Sequence, residues 1–213
     1  AKFIIVKSTS DADNWFCYHI GLDSTSPENY DISLNTSSAR RDFVSWNDTK
    51  PTSTVFSVGN TGATNENGRD YIAYCWSEVA GFSKFSSYSG NGSNTGTVVT
   101  TGFKPRFVLI KGTSSARDWW IYDSQRDPSN PNMARLSPNS SSAEATNVYA
   151  IDFLDNGFQL KTSDVALNGS GETYIYAAFA DRPGNNWDVN NLVAKAAGLE
   201  TANQGFDVVT YTG

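Results

Sequence analysis

The chain has 213 residues, 18% of them charged and 38% hydrophobic, with Gly, Ser, Thr and Asn filling much of the remainder and a net charge of −6. This is the composition of a folded β-protein, not of a disordered tail. The acidic balance, with no stripe of Lys or Arg to follow a phosphate backbone, argues against nucleic acid as a partner, and no apolar run approaches the length of a membrane span, so no membrane insertion is expected.

The first element, Lys2 to Tyr18, reads KFIIVKSTSDADNWFCY and returns at Arg106 to Tyr122 as RFVLIKGTSSARDWWIY. With Phe3 set on Phe107, Lys7 falls on Lys111, Thr9 on Thr113, Trp15 on Trp119 and Tyr18 on Tyr122. Each copy is a β-branched run, a polar turn and an aromatic run, too short for helices and bounded by turn formers, which predicts an antiparallel hairpin. Alternation places Trp119 and Ile121 on one face and Trp120 and Tyr122 on the other, so both faces carry apolar bulk and the strand is expected to be covered on both sides. A packing role for these Trp residues is therefore favoured over ligand binding. Cys17 and Cys75 face Ile121 and Ala178 in the second copy, which predicts two small buried side chains with free thiols. His19, the single histidine, faces Asp123, so no duplicated histidine site exists and a surface position at a strand end is expected.

Residues 21–53 are rich in turn formers, with strand-like runs at Tyr30 to Leu34 and Phe43 to Trp46, and match the second copy thinly, as loops of differing length would. The copies converge again at Val55 to Trp76 and Gly157 to Phe179, each expected to form a second hairpin whose glycines, Gly68 and Gly171 among them, supply positive φ. FSKFSSYSGNG, from Phe82, is echoed by GFDVVTYTG at residues 205–213, with Tyr88 over Tyr211 and Gly90 over Gly213. This predicts the opening strand of a unit. The expected organisation is all-β, two tandem antiparallel β-sandwiches of jelly-roll type: a first repeat over 1–82, a second over 83–182, and a linker with the opening strand of a further repeat over 183–213. The first repeat lacks a preceding strand of its own, so it is expected to take one from outside this segment, and the chain reads as part of a longer polypeptide.

Signatures of chemistry are sparse. There is no GxSxG, HExxH or phosphate-binding loop, and neither a metal nor another cofactor is implied. Asp11 and Asp13, and Asp152 and Asp155, cluster in turns and could supply oxygens to calcium, but the first pair meets Ser115 and Arg117 in the other copy, which favours turn formation. Trp46 with Asn47 and Asp48, and Trp187, have no clear counterparts and are candidate stacking platforms for a sugar, with interface packing as the competing role.

The combination of PRFVLIK, WWIYDSQRDP, AIDFLDNGFQLKT, NGSGETYIYAAFAD, NGRDYIAYCWSEVAGFSKFSSYSGNG and the recurrent FDVVTYTG resembles repeated β-sandwich modules of long bacteriophage structural proteins, of tail-fibre or other virion-appendage type, especially from marine phages. The resemblance covers nearly the entire chain. It implies a concanavalin-like or laminin-G-like jelly roll, a non-enzymatic virion protein contributing to assembly and host attachment, other virion subunits as partners, and a symmetric oligomer, a trimer by analogy. A lectin-like module recognising host-surface polysaccharide is the alternative; a glycoside hydrolase or lyase is the weakest.

Overall fold

The computed structural model describes residues 1–146, 150–181 and 206–213. Among them the regular elements are fourteen β-strands and two short 3-10 turns. In chain order the strands are β1 (Phe3–Ser8), β2 (Phe16–His19), β3 (Tyr30–Ser33), β4 (Arg41–Asp42), β5 (Asp70–Trp76), β6 (Ser83–Ser89) and β7 (Val98–Thr100). They continue with β8 (Phe107–Gly112), β9 (Trp119–Asp123), β10 (Arg135–Leu136), β11 (Ile151–Leu154), β12 (Gly157–Leu160), β13 (Thr173–Phe179) and β14 (Phe206–Thr212). They form three antiparallel sheets, ordered β14-β5-β1-β2-β3-β4, β10-β9-β8-β13-β6 and β11-β12-β7.

The duplication is visible in the register. Phe3 stands opposite His19 and Trp76 as Phe107 stands opposite Asp123 and Phe179. Just before each first strand, Lys2 N–H donates to Trp76 O at 2.7 Å and Arg106 N–H to Phe179 O at 2.7 Å. Local sequence sets this frame, because alternating apolar residues tolerate no one-residue slip without turning the buried set outward.

Three apolar clusters lie between the layers. Phe3, Ile5, Cys17 and Ile32 of the first sheet pack against Phe85, Leu109, Trp119, Ile175 and Ala177 of the second. The opposite face of the second sheet, with Tyr88, Val108, Ile110, Tyr122 and Tyr174, packs on Phe153, Phe158 and Leu160 of the three-stranded sheet. The opposite face of the first sheet, with Ile4, Val6, Tyr18 and Tyr71, is covered by Trp46 and Phe56 from the segment between β4 and β5. Both large sheets are therefore apolar on both faces, as the aromatic alternation predicts, and the two copies share a core.

Several expectations are corrected. Phe43 to Trp46 is not a strand: Val44–Trp46 is a 3-10 turn ended by Asn47 at φ 52°, which swings the Trp46 ring under the first sheet. Neither Val55 to Trp76 nor Gly157 to Phe179 is a hairpin. Residues 55–69 carry no strand, while β12 and β13 belong to different sheets and face each other across the core, with the rings of Phe158 and Tyr176 edge-to-face at 5.4 Å. Gly68 (φ 80°) and Gly171 (φ 75°) do hold the positive φ expected of them. The strand beside β5 comes from within the segment: Phe206–Thr212 pairs along all of Asp70–Trp76. The edge it completes is that of β5, since β1 has neighbours on both sides.

Candidate binding surface

Among the described residues, the sugar contacts expected from the sequence lie around the Val44–Trp46 turn. Trp46 is fully buried, its indole N–H donating to Tyr30 O at 3.0 Å and its ring meeting Tyr18 edge-on at 5.9 Å, so no face is open to a sugar. Asn47 and Asp48 are exposed, both at positive φ in the turn that follows. Trp187 lies outside the described residues. The turn carboxylates are engaged singly: Asp11 with Arg69 at 2.8 Å, Asp13 with the Asn14 amide at 2.7 Å, Asp152 with Lys161 at 3.4 Å and Asp155 with Lys104 at 3.5 Å.

His19 is also corrected: it is buried, 1% exposed. Its Nδ1 accepts the Gly21 amide at 3.0 Å, which leaves Nε2 to carry the proton and donate to Tyr176 O at 3.0 Å. Burial drives its pKa down to about 3, against a smaller upward pull from that carbonyl. The neutral ring is thus a polar rivet between the two large sheets. The thiols are free and on opposite faces of the first sheet, Cys17 opposite Ile5 and Cys75 opposite Ile4, with β1 between them. Burial pushes the Cys17 thiol well up and Cys75 to about 11.

An open aromatic face does exist, formed by residues other than those singled out from the sequence. On the face of the first sheet that carries Phe3 and Ile5, the outer strands β5 and β14 present a run of stacked rings. Trp15 lies on Tyr74 (6.4 Å, 20°), Tyr74 on Phe206 (6.4 Å, 11°) and Trp76 (6.4 Å, 27°), and Trp76 on Phe3 (5.1 Å, 25°). Trp15, Phe206 and Val208 are 36%, 44% and 42% exposed, which makes this an apolar surface and not a core. A pair of amides rims it: Asn35 Oδ1 accepts the Trp15 amide at 3.0 Å, and Asn35 Nδ2 donates to Asn14 Oδ1 at 3.0 Å. The same arrangement recurs at Trp119, whose amide donates to Asn139 Oδ1 at 2.8 Å while Asn139 donates to Asp118 at 2.7 Å. There the first sheet covers the ring, and Ser33 O accepts the indole N–H at 2.9 Å. Sequence matching therefore placed Trp15 in the core with its partner. No local signal distinguishes the two, because the difference lies in which ring the neighbouring sheet covers.

A family model described as a domain of unknown function (DUF7483) matches residues 1–183. The chain belongs to this family. The DUF7483 span takes in both copies of the hairpin and all the strands of the second and third sheets, and ends before β14. No curated protein and no solved structure matches the chain.

Proposed function

We propose that this DUF7483 chain is a non-enzymatic structural and adhesive protein, two β-sandwich repeats (1–82 and 83–182) of a virion appendage of bacteriophage tail-fibre type. The observation that carries the reading is the seating of β14. It lies against β5 in the register that β6 holds against β13, so a strand from after the second repeat completes the first, as units of a connected array would. Burial on both faces of the large sheets fits a load-bearing stack. The duplicated hairpin also carries no duplicated histidine or carboxylate. Other virion subunits and further copies of the chain are the partners this reading names. Immunogold labelling of phage particles with antibody to the purified chain tests it: labelled appendages support it, and particles unlabelled while the free chain is recognised overturn it. The mass in solution tests the trimer.

A second reading, recognition of host-surface polysaccharide, is favoured by the stacked rings at Trp15, Tyr74 and Phe206 with the Asn14–Asn35 rim. Open aromatic planes beside amides suit the apolar faces and hydroxyls of a sugar. A glycan array with the full chain and with Trp15→Ala checks it. Binding that falls about tenfold in the variant supports the site, since loss of one stacking plane removes about 1–1.5 kcal/mol. Binding that is unchanged, or undetectable for both proteins, removes it.

A further inference from the structure

The described contacts that seat β14 are made by residues 206–213 with a slot that the repeat builds twice. Along the strand, Phe206 opposes Trp76, Val208 opposes Tyr74 and Tyr211 opposes Tyr71. In the second sheet, Ser83 opposes Phe179, Phe85 opposes Ala177 and Tyr88 opposes Tyr174. Tyr211 stacks on Tyr71 at 5.4 Å and 14°; Tyr88 stacks on Tyr174 at 5.1 Å and 14°. The Tyr211 hydroxyl donates to Thr64 O, and that of Tyr88 to Leu167 O. The end of the strand is clasped identically. Gly213 N–H donates to Arg69 O at 2.8 Å and its carbonyl accepts Gly68 N–H at 3.0 Å, as Gly90 does with Glu172 (2.9 Å) and Gly171 (3.0 Å). At both glycines an added Cβ would run into a carbonyl oxygen, of Glu66 or of Gly169.

Retention differs between the two strands. β6 is locked by burial, with Ser83 and Phe85 at 4% and 2% exposure, whereas Phe206, Val208 and Val209 of β14 remain 44%, 42% and 38% exposed. β14 is thus held by an edge ladder and a tyrosine–glycine clasp, which supply register and specificity with little desolvation.

We propose that the slot beside β5 is an intermolecular joint that accepts the 206–213 strand of a second copy of this chain in place of its own. The recognised features are all carried by the eight-residue strand, so a strand of the same sequence from another copy satisfies every one of them. A reciprocal exchange of the strand closes a dimer, and a one-way exchange propagates as a ring or a filament. The joint rests on the connecting role proposed above and gives it a partner: the chain itself.

Cys75 stands directly opposite Asp207 and supplies the test. A tagged full-length donor carrying Asp207→Cys and Cys75→Ser is mixed with the untagged natural chain, co-unfolded and refolded over a range of concentrations, and treated with a short bis-maleimide. A single Asp207→Cys chain serves as the internal control and is expected to crosslink within itself at low concentration. The joint predicts a covalent donor–acceptor heterodimer that grows with concentration. Its yield should fall about tenfold when the donor also carries Tyr211→Ala, because that change removes the ring stack and a hydrogen bond. Internal crosslinking without any heterodimer overturns the joint while leaving the adhesive reading to its own assays. A heterodimer insensitive to Tyr211→Ala overturns it as random collision, and failure of the internal control overturns the register on which it depends.

Discussion

His19 gives the chain a pH dependence that can be worked from geometry. In the fold its Nδ1 is an acceptor pointing at the Gly21 N–H, so a proton added there would face another donor inside a fully covered site. The folded pKa is accordingly about 3, against an ordinary value of 6.5. Below pH 6.5 the unfolded chain binds a proton that the folded chain refuses. Stability is therefore fully present above that pH and is lost as pH falls toward 3. At pH 5 the loss is about 2 kcal/mol, which for a chain of this size lowers the thermal midpoint by about 4–8 °C. Asp23 and Asp127 do not obscure this interval. The amides of Ser26 and Thr25 hold Asp23 below its ordinary 3.8; burial raises Asp127, but the amides of Ser129, Met133 and Ala134 outweigh it and bring it to about 2. Both therefore withdraw stability at lower pH. The sequence contains one histidine, so a variant at that position assigns its share, apart from that of the Ala1 amino group, which burial lowers from its ordinary 8.0. Thermal unfolding followed by circular dichroism at pH 7 and pH 5, on the natural chain and on His19→Gln, measures the effect. The natural chain should lose the stated interval and the variant much less. Equal losses in the two proteins would refute the buried neutral imidazole.

Trp46→Ala should cost about 3–5 kcal/mol in denaturant unfolding, since it empties a fully buried site beneath the first sheet; a cost under 1 kcal/mol would return Trp46 to the surface. Asn168→Ala should cost about 3 kcal/mol or more. Its fully buried Nδ2 lies 2.8–2.9 Å from Asn91 Oδ1, Ser93 O and Thr162 O, which share its two N–H donors, and its Oδ1 accepts the Asn91 backbone N–H at 3.0 Å, so truncation leaves several groups unpartnered. Trp15→Ala, measured in the same denaturant series, should cost less than half of what Trp119→Ala costs, because the first ring is 36% exposed and the second 1%. Similar costs would mean that the aromatic face is covered. Gly90→Ala should destabilise by about 1–3 kcal/mol, the range for forcing atoms into occupied space, here the carbonyl of Gly169.

How much of this was legible beforehand follows from the range of each interaction. β1, β2, β8 and β9, the positive-φ glycines and the equivalence of Tyr88 and Tyr211 could be read because they depend on residues a few positions apart, or on two copies of one pattern. The second hairpin could not. β12 and β13 carry strand patterns equally suited to being hydrogen-bonded neighbours or to facing each other across a core, and only the assembled sheets choose. Trp46 could not be placed for the same reason: unmatched, it looks spare in the sequence, yet a 3-10 turn buries it.

By itself the sequence determined that the chain is all-β, that its hairpin is duplicated, and that residues 206–213 form a strand equivalent to 83–90. Alternation, turn chemistry and internal identity are local properties, and each copy obeys them alone. The tertiary structure decided which faces are covered. The first sheet lies across Trp119, while the second leaves Trp15 open; the two seal His19 against Tyr176, and β14 lies along the outer edge of the first. Such outcomes depend on how one sheet is offset over another and on which edge is left without a neighbour, and two identical side chains can then meet opposite surroundings.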